Sequence, residues 1–297
     1  NNFKELKLKE LPLNLIHSNL LPPYRVLDTY TYNGQLFVSY IKRKNDDCQE
    51  LHISYSEINF KSLNFKKFFT SEECGKWVQG GRMVFYKHKN VDGILFTTSD
   101  AKPDKVDNLP QDKNSIFGKI LFIELESKNH SIFSIGHRSI QGLYVSKDLI
   151  ISSEHGPRGG DEINKIIFNK NYGWPVASYG EKYSIDNPKK LSYSNDHTAY
   201  KYKEPIYSYI PAIAPSEIIK LPNSFSKIFQ NNFLLSTLSS GHLHRLKFDN
   251  DFTRVIFDEK IFIGERVRDI KFIEELNAVI LAFEDKGEIG ILKVLEK

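Results

Sequence analysis

Residues 154–175 read EHGPRGGDEINKIIFNKNYGWP, a density of special backbone positions that plain scaffolding seldom needs. Gly156, Gly159 and Gly160 permit positive φ and close backbone approach, while Pro157 fixes its own φ and has no N–H to donate. Local carbonyls are left to face a guest, and a hard cation suits them. Asp161 and Glu162 then open a strand whose apolar positions are Ile163, Ile166 and Phe168. Two readings follow from these residues alone. One is a tight surface loop leading into a buried strand, with both carboxylates in water; the other is a ligand site.

Outward from this stretch, short β-rich segments broken by Asn, Gly, Asp and Pro recur along all 297 residues, with no long amphipathic helix between them. The pattern predicts an all-β propeller of four-stranded antiparallel blades, five in number, forming a single domain over residues 1–297. The first blade is expected from Arg25–Tyr32, Gln35–Lys42, Glu50–Glu57 and Phe65–Phe69, and the second from Arg82–Lys87, Gly93–Thr98, Gly118–Leu125 and Ser131–Ile135. The third takes Gly142–Val145, Leu149–Ser153, Glu162–Phe168 and Pro205–Tyr209, carrying residues 174–204 as a long loop. Ser216–Leu221, Phe233–Thr237, His242–Phe248 and Phe252–Phe257 make the fourth. Only Val267–Ile273, Ala278–Phe283 and Gly287–Val294 remain for the fifth, so the N-terminal Glu5–Ile16 is expected to supply its missing strand and close the ring.

Composition narrows the function classes. Hydrophobic residues are 40% and aromatics 13%, which favours strands and a folded globule over disorder. The excess of 41 Lys and Arg over 37 Asp and Glu is too slight and too scattered to argue for nucleic acid. No apolar run approaches the length of a membrane-spanning helix. The chain starts at Asn1 without a charged and apolar leader, so a targeting segment removed earlier, or a start inside a longer protein, is expected. Cys48 and Cys74 exclude a zinc site built of cysteines and allow one disulfide, with two free thiols favoured unless the protein is exported.

HGPRGGDEIN followed by NYGWP, and preceded at residues 136–143 by GHRSIQGL, resembles the glucose/sorbosone dehydrogenase family, soluble sugar dehydrogenases that use pyrroloquinoline quinone (PQQ). Weaker similarity runs from about Tyr24 to the C-terminus. The resemblance implies a β-propeller of six blades, one more than this chain supplies, because Asn33–Tyr40 is similar to a motif that follows a complete preceding unit. A periplasmic or extracellular location is implied as well.

By the same resemblance, PQQ would lie on the axis with calcium beside it. Arg138 would face the quinone, with Ser139 and Gln141 of the same motif as polar contacts, and Arg266 and Arg268 in ERVRD would hold the cofactor's carboxylates. Two residues apart in a strand, that last pair shares a face and can address one anion; the plainer reading is a pair of surface arginines neutralised by Asp269, Glu265 or solvent. The Gly156 and Pro157 carbonyls would bind the calcium beside PQQ, and Glu162 and Tyr172 a second, structural calcium. A strand-edge carboxylate paired with a lysine is the plain alternative for Glu162.

Departures fall on the chemistry. In the family a catalytic histidine lies four residues before the arginine of an H-x-G-G-R-like motif, and here Val78 occupies that position ahead of Arg82. A family lysine is replaced by Ser239, and an asparagine after the quinone-facing arginine by Ser139. His155 is the nearest titratable replacement for the base, with His137 second; its plain reading is a loop histidine bonded to backbone. His242 and His244 lack a third ligand at metal spacing. Two functions are therefore expected in competition. One is a PQQ- and calcium-dependent aldose dehydrogenase with a relocated base; the other is a non-catalytic propeller that binds carbohydrate, a small anion or a protein partner.

Overall fold

Two-residue turns reverse the chain between neighbouring strands. At Asn33–Gly34 both residues have positive φ, 48° and 74°, the handedness that matches strand twist and pairs Tyr32 with Gln35. The structure, a computed structural model, describes residues 17–20, 24–59, 61–101, 108–182 and 193–294. Its strands form the expected antiparallel blades of a β-propeller.

Blade 1 is Arg25–Tyr32, Gln35–Asn45, Cys48–Glu57 and Lys66–Thr70; blade 2 is Gly80–His88, Val91–Thr98, Lys119–Glu124 and His130–Ile135. Blade 3 is Ile140–Ser146, Leu149–Glu154, Asp161–Lys165 and Tyr207–Tyr209. Pro215–Lys220, Phe233–Thr237, His242–Phe248 and Val255–Phe262 make blade 4, and Val267–Ile273, Ala278–Phe283 and Ile289–Leu292 make blade 5. The first strand of each blade is innermost, and each packs on the inner strand of the next blade from 1 to 5.

Two expected boundaries move. The strand opened by Asp161 stops at Lys165, because the Tyr172 hydroxyl donates to the Lys165 carbonyl at 2.7 Å and accepts from the Ile167 N–H at 2.9 Å, drawing the chain out of the ladder. Ile166 still buries its side chain, but Phe168 leaves the sheet and packs against His88. The outer strand of blade 4 starts at Val255, after a turn in which Asp249 accepts from the N–H of Thr253 at 2.7 Å. The closing strand expected at Glu5–Ile16 lies outside the described residues. Just after it, His17–Ser18 pairs in parallel with Ser62–Leu63 beside blade 1.

Apolar faces of adjacent blades meet in four cores. Phe37, Ile53, Met83 and Phe96 belong to the one between blades 1 and 2, and Leu95, Phe122, Ile140 and Ile150 to the next. Ile151, Ile163, Phe233 and Leu235 fill the third, and Leu234, Leu243, Val267 and Val279 the fourth. Burial of this kind is worth roughly 1.5–3 kcal/mol per large side chain. Gly142 lets the inner strands of blades 3 and 4 close on each other, since a Cβ there would stand 2.4 Å from the Ser216 carbonyl oxygen.

At the axis the five blades are joined by one side chain. Arg82 of blade 2 is 5% exposed. Its Nη1 lies 2.7 Å from Asp269 of blade 5, 3.2 Å from Glu217 of blade 4 and 3.4 Å from Asp28 of blade 1. Its Nε donates to the Gln141 carbonyl of blade 3, and its Nη2 to the Arg268 carbonyl at 3.3 Å. Burial pushes the Glu217 carboxyl up to about 8 and that of Asp28 to about 6, against the pull of Arg82 on both.

Cys48 and Cys74 are disulfide-bonded, so the bridge and not the pair of free thiols is found. It fixes the 71–79 loop to the start of the third strand of blade 1, where Gln49 and Gly75 also exchange backbone hydrogen bonds of 2.8 and 3.0 Å.

Arg82→Met is expected to cost roughly 3–5 kcal/mol, because it strands the buried Asp28 carboxylate without its counter-charge and removes the bonds to Asp269 and Glu217. A carboxyl whose folded pKa is raised contributes stability below its unfolded value and loses it as pH rises through the folded one. Thermal melts should therefore show the wild type losing stability from about 4.5 to about 8, with a flatter profile in Glu217→Gln. A wild type that gains stability across that window would refute this account of Glu217.

Candidate functional site

The loop after Leu149–Glu154 is shaped by contacts that only its glycines allow. A Cβ on Gly156 would meet the Gly159 and Gly160 carbonyl oxygens at 2.3 Å, and one on Gly160 the Gly180 nitrogen at 2.2 Å. Asp161 organises the loop from within. Its Oδ1 accepts from Gly156 N–H at 2.9 Å, and its Oδ2 from Ile213 and Ala214 N–H at 2.7 Å each, which ties the loop to the entrance of blade 4. Thus Asp161 is a buried acceptor of backbone hydrogen bonds and not a solvated carboxylate.

On one side of this loop an axial cavity of about 360 Å³ is open, lined by residues of all five blades that include Arg25, Gln79, Gln141, His155, Arg266 and Arg268. Its volume falls in the range of roughly 300–1,000 Å³ usual for small-molecule sites. Arg82 closes the floor. Arg266, just before the inner strand of blade 5, and Arg268, at its bulge, both line the cavity, and their partners are Glu284 and Asp285. Of the partners expected from sequence, Asp269 is engaged by Arg82 and Glu265 by Lys286. A polar chain crosses the cavity wall: Ser139 Oγ to Gln79 Oε1 at 3.3 Å, Gln141 Nε2 to Ser139 Oγ at 2.9 Å, and Arg268 Nη1 to Gln141 Oε1 at 3.5 Å.

Arg138 lies on the other side of His155, in a small cleft with Glu154, Gly156, Glu162, Tyr172 and Trp174. Its Nη1 donates to the His155 carbonyl at 3.1 Å and its guanidinium stands 5.4 Å from the Trp174 ring centroid, yet its buried Nε has no partner. His155 borders both spaces. Its Nε2 is 2.8 Å from the Pro215 carbonyl, which can only accept, so the ring proton sits on Nε2 and Nδ1 is left as the acceptor. Burial first, and then the Arg138 charge, lower the imidazole to about 4.

The base position of the sequence motif is displaced from the cavity. Val78 is fully buried in the core between blades 1 and 2, and Gln79 is the loop residue that reaches the cavity. His137, the second candidate, is buried and bonded to Ser134 Oγ at 2.8 Å and Glu154 at 3.1 Å. His244 faces Asp258 at 2.8 Å, and among the described residues no three His, Cys, Asp or Glu side chains converge as a metal centre.

Among the described residues Glu162 has no lysine partner, and His197 Nε2 stands 3.9 Å from its Oε1. Glu162 is buried beside Glu154, and Asn164 Nδ2 spans the two carboxylates, 2.7 Å from Glu154 and 3.0 Å from Glu162. Burial, and then the Glu154 charge, push the Glu162 carboxyl well above the usual range. The Asn164 Oδ1 is buried without a partner, and a space of about 10 Å³, room for roughly one water or ion, adjoins the pair. Two crowded carboxylates and an unsatisfied carbonyl suit a hard cation or a retained proton. Of the residues expected as ligands, Gly156, Glu162 and Tyr172 border this space, whereas Pro157 packs against Gly180. Sequence reasoning missed Glu154 and Asn164 as partners of Glu162, although both lie in the 154–175 stretch, and missed Arg25, which stands outside the loop and arginine motifs.

Residues 24–293 match the family model described as Glucose / Sorbosone dehydrogenase. An uncharacterized protein of Synechocystis sp. is 32% identical over 160 residues, 53% of this chain and 38% of that protein. Aldose sugar dehydrogenase YliI of Escherichia coli is 26% identical over 227 residues, 71% of this chain and 58% of its own length. The chain thus spans less than two thirds of these two relatives. Quinoprotein glucose dehydrogenase B of Acinetobacter calcoaceticus is 24% identical over 339 residues, covering 91% of this chain and 67% of that protein. A solved glucose dehydrogenase structure has a TM-score of 0.78 at 21% identity, over 92% of this chain and 83% of the other, a likeness of fold.

Proposed function

Because the chain belongs to the glucose/sorbosone dehydrogenase family, we propose that its axial cavity binds PQQ and that an aldose is oxidised there. The observation that carries this reading is the open axial cavity of about 360 Å³ whose wall holds the guanidiniums of Arg25, Arg266 and Arg268. Buried guanidinium donors are matched by carboxylate or quinone oxygens. The relatives named as a quinoprotein and as an aldose sugar dehydrogenase agree with that chemistry. When bound, the quinone would supply a two-electron acceptor for hydride from the sugar carbon.

The protein's own residues divide the remaining work. Arg266 and Arg268 would hold cofactor carboxylates, and Gln141, bonded to Ser139, would orient the ring; Arg138, which the resemblance sets against the quinone, lies in the adjoining cleft across His155 and not on the cavity wall. His155 Nδ1 would take the sugar hydroxyl proton. With its pKa lowered to about 4 it stays neutral at physiological pH, so the lone pair is available, although its weak basicity slows proton uptake. The Glu154–Glu162 cleft, bordered by Gly156 and Tyr172, would hold a structural ion, whereas Gly156 and Pro157, which the resemblance assigns to a calcium beside the cofactor, do not line the axial cavity. The Cys48–Cys74 disulfide supports an oxidising periplasmic or extracellular location. A second reading, a binding propeller without turnover, is favoured by the turn of Val78 into the core.

Titration with PQQ with and without calcium, followed by dye reduction over a panel of aldoses, tests the proposal. Binding with turnover is expected, with the acid limb of kcat/KM near about 4 and not at the usual histidine value. His155→Asn should lower turnover by roughly 10²–10⁴-fold. Binding without turnover would leave the second reading, and no binding would end the PQQ proposal.

Calcium should raise the melting temperature, and more so as pH rises, because the proton that Glu162 retains competes with the ion at low pH. Glu162→Gln is expected to abolish the shift. A wild type indifferent to calcium at every pH would remove the structural ion from the proposal.

A further inference from the structure

Arg25 opens the inner strand of blade 1 and lines the axial cavity together with Arg266 and Arg268 of blade 5. Its Nη2 donates to the Val78 carbonyl at 2.6 Å, which fixes the guanidinium against the 71–79 loop held by the disulfide. Among the described residues no carboxylate stands within ion-pair distance of it. The other guanidiniums of the cavity are engaged: Arg82 by Asp28, Glu217 and Asp269, Arg266 by Glu284 and Asp285, and Arg268 by Glu284. Glu284 is the one carboxylate in the lining, so positive charge at the mouth is in excess.

We propose that Arg25 is a further anion-binding residue of this cavity, positioned to hold a carboxylate of a polycarboxylate ligand between itself and Arg268. The assignment rests on the reading of the cavity as a PQQ site. Blade 1 thereby supplies a cation that the sequence motifs do not contain. Arg25 and Arg268 lie close enough to repel, and an anion between them converts that repulsion into attraction. The fixed Nη2 leaves the remaining N–H donors of Arg25 for the ligand.

Calorimetric titration of wild type, Arg25→Gln, Arg25→Lys and Arg43→Gln with PQQ tests the assignment, with melting temperatures to confirm folding. Arg43 is on the same blade, outside the cavity and paired with Asp46. Loss of Arg25 should weaken PQQ binding by about ten- to a hundredfold. Arg25→Lys should recover part of that loss, and Arg43→Gln should bind as the wild type does. If the wild type binds PQQ and Arg25→Gln binds equally well, the assignment of Arg25 falls while the PQQ reading stands. If the wild type does not bind PQQ, that reading falls, and citrate serves as the tricarboxylate probe. Weaker citrate binding by Arg25→Gln would then sustain the role of Arg25, and equal or absent binding would overturn it.

Discussion

The ring depends on one buried guanidinium. Apolar cores glue blade 1 to blade 2, 2 to 3, 3 to 4 and 4 to 5, a chain of pairwise contacts that by itself would fix neither the curvature nor the approach of the last blade to the first. Arg82 adds the missing constraint by holding Asp28 of blade 1 and Asp269 of blade 5 on a single Nη1. Ion pairs removed from water gain little net stability over well-packed apolar groups, but they discriminate sharply among arrangements, because any geometry that separates the partners leaves a charge buried alone. With three carboxylates around one cation, the hub keeps a proton on Glu217 at neutral pH, which relieves the crowding without loosening the ring.

The same hub sets the electrostatics of the cavity above it. Since the charge of Arg82 is consumed by the floor, the guanidiniums that face the open space are those of Arg25, Arg266 and Arg268, carried by the first and last blades. Where these two blades approach, the contact is electrostatic: Arg25 feels the charges of Arg268 and Glu284. A site placed at such a junction couples ligand binding to closure of the ring, because an anion that engages cations from both blades draws them together.

Much of this was legible in the sequence, for identifiable reasons. Strands and blades follow from alternation and from turns such as Asn33–Gly34, both local signals. Arg266 and Arg268 reach the same carboxylate, Glu284, although Arg266 precedes the strand and Arg268 sits at its bulge, a detail that spacing alone does not carry. What lay beyond reach was pairing across long separations. Arg82 could be read as part of a motif, but Asp28 and Asp269 lie 54 and 187 positions away, and nothing local marks them as its partners. Nor does composition reveal that Asp161 spends its carboxylate on three backbone N–H groups while its neighbour Glu162 faces Glu154. Alternation along the strand sends adjacent carboxylates to opposite sides, and only the surrounding loops decide what each side meets.

The position of the lost base shows the same limit in its chemically most consequential form. A motif places Val78 only by its distance from Arg82, which does not say which way the side chain turns. In this chain the loop is held by the disulfide, by the Gln49–Gly75 hydrogen bonds and by Val78 itself, whose N–H donates to Gln49 at 3.1 Å. A valine gains from turning into the core between blades 1 and 2, whereas a histidine there would surrender its hydration without a partner. A histidine placed at position 78 would therefore face the cost of turning the loop outward. Among the groups already on the cavity wall, His155 is the imidazole with an accepting nitrogen, held neutral by its surroundings.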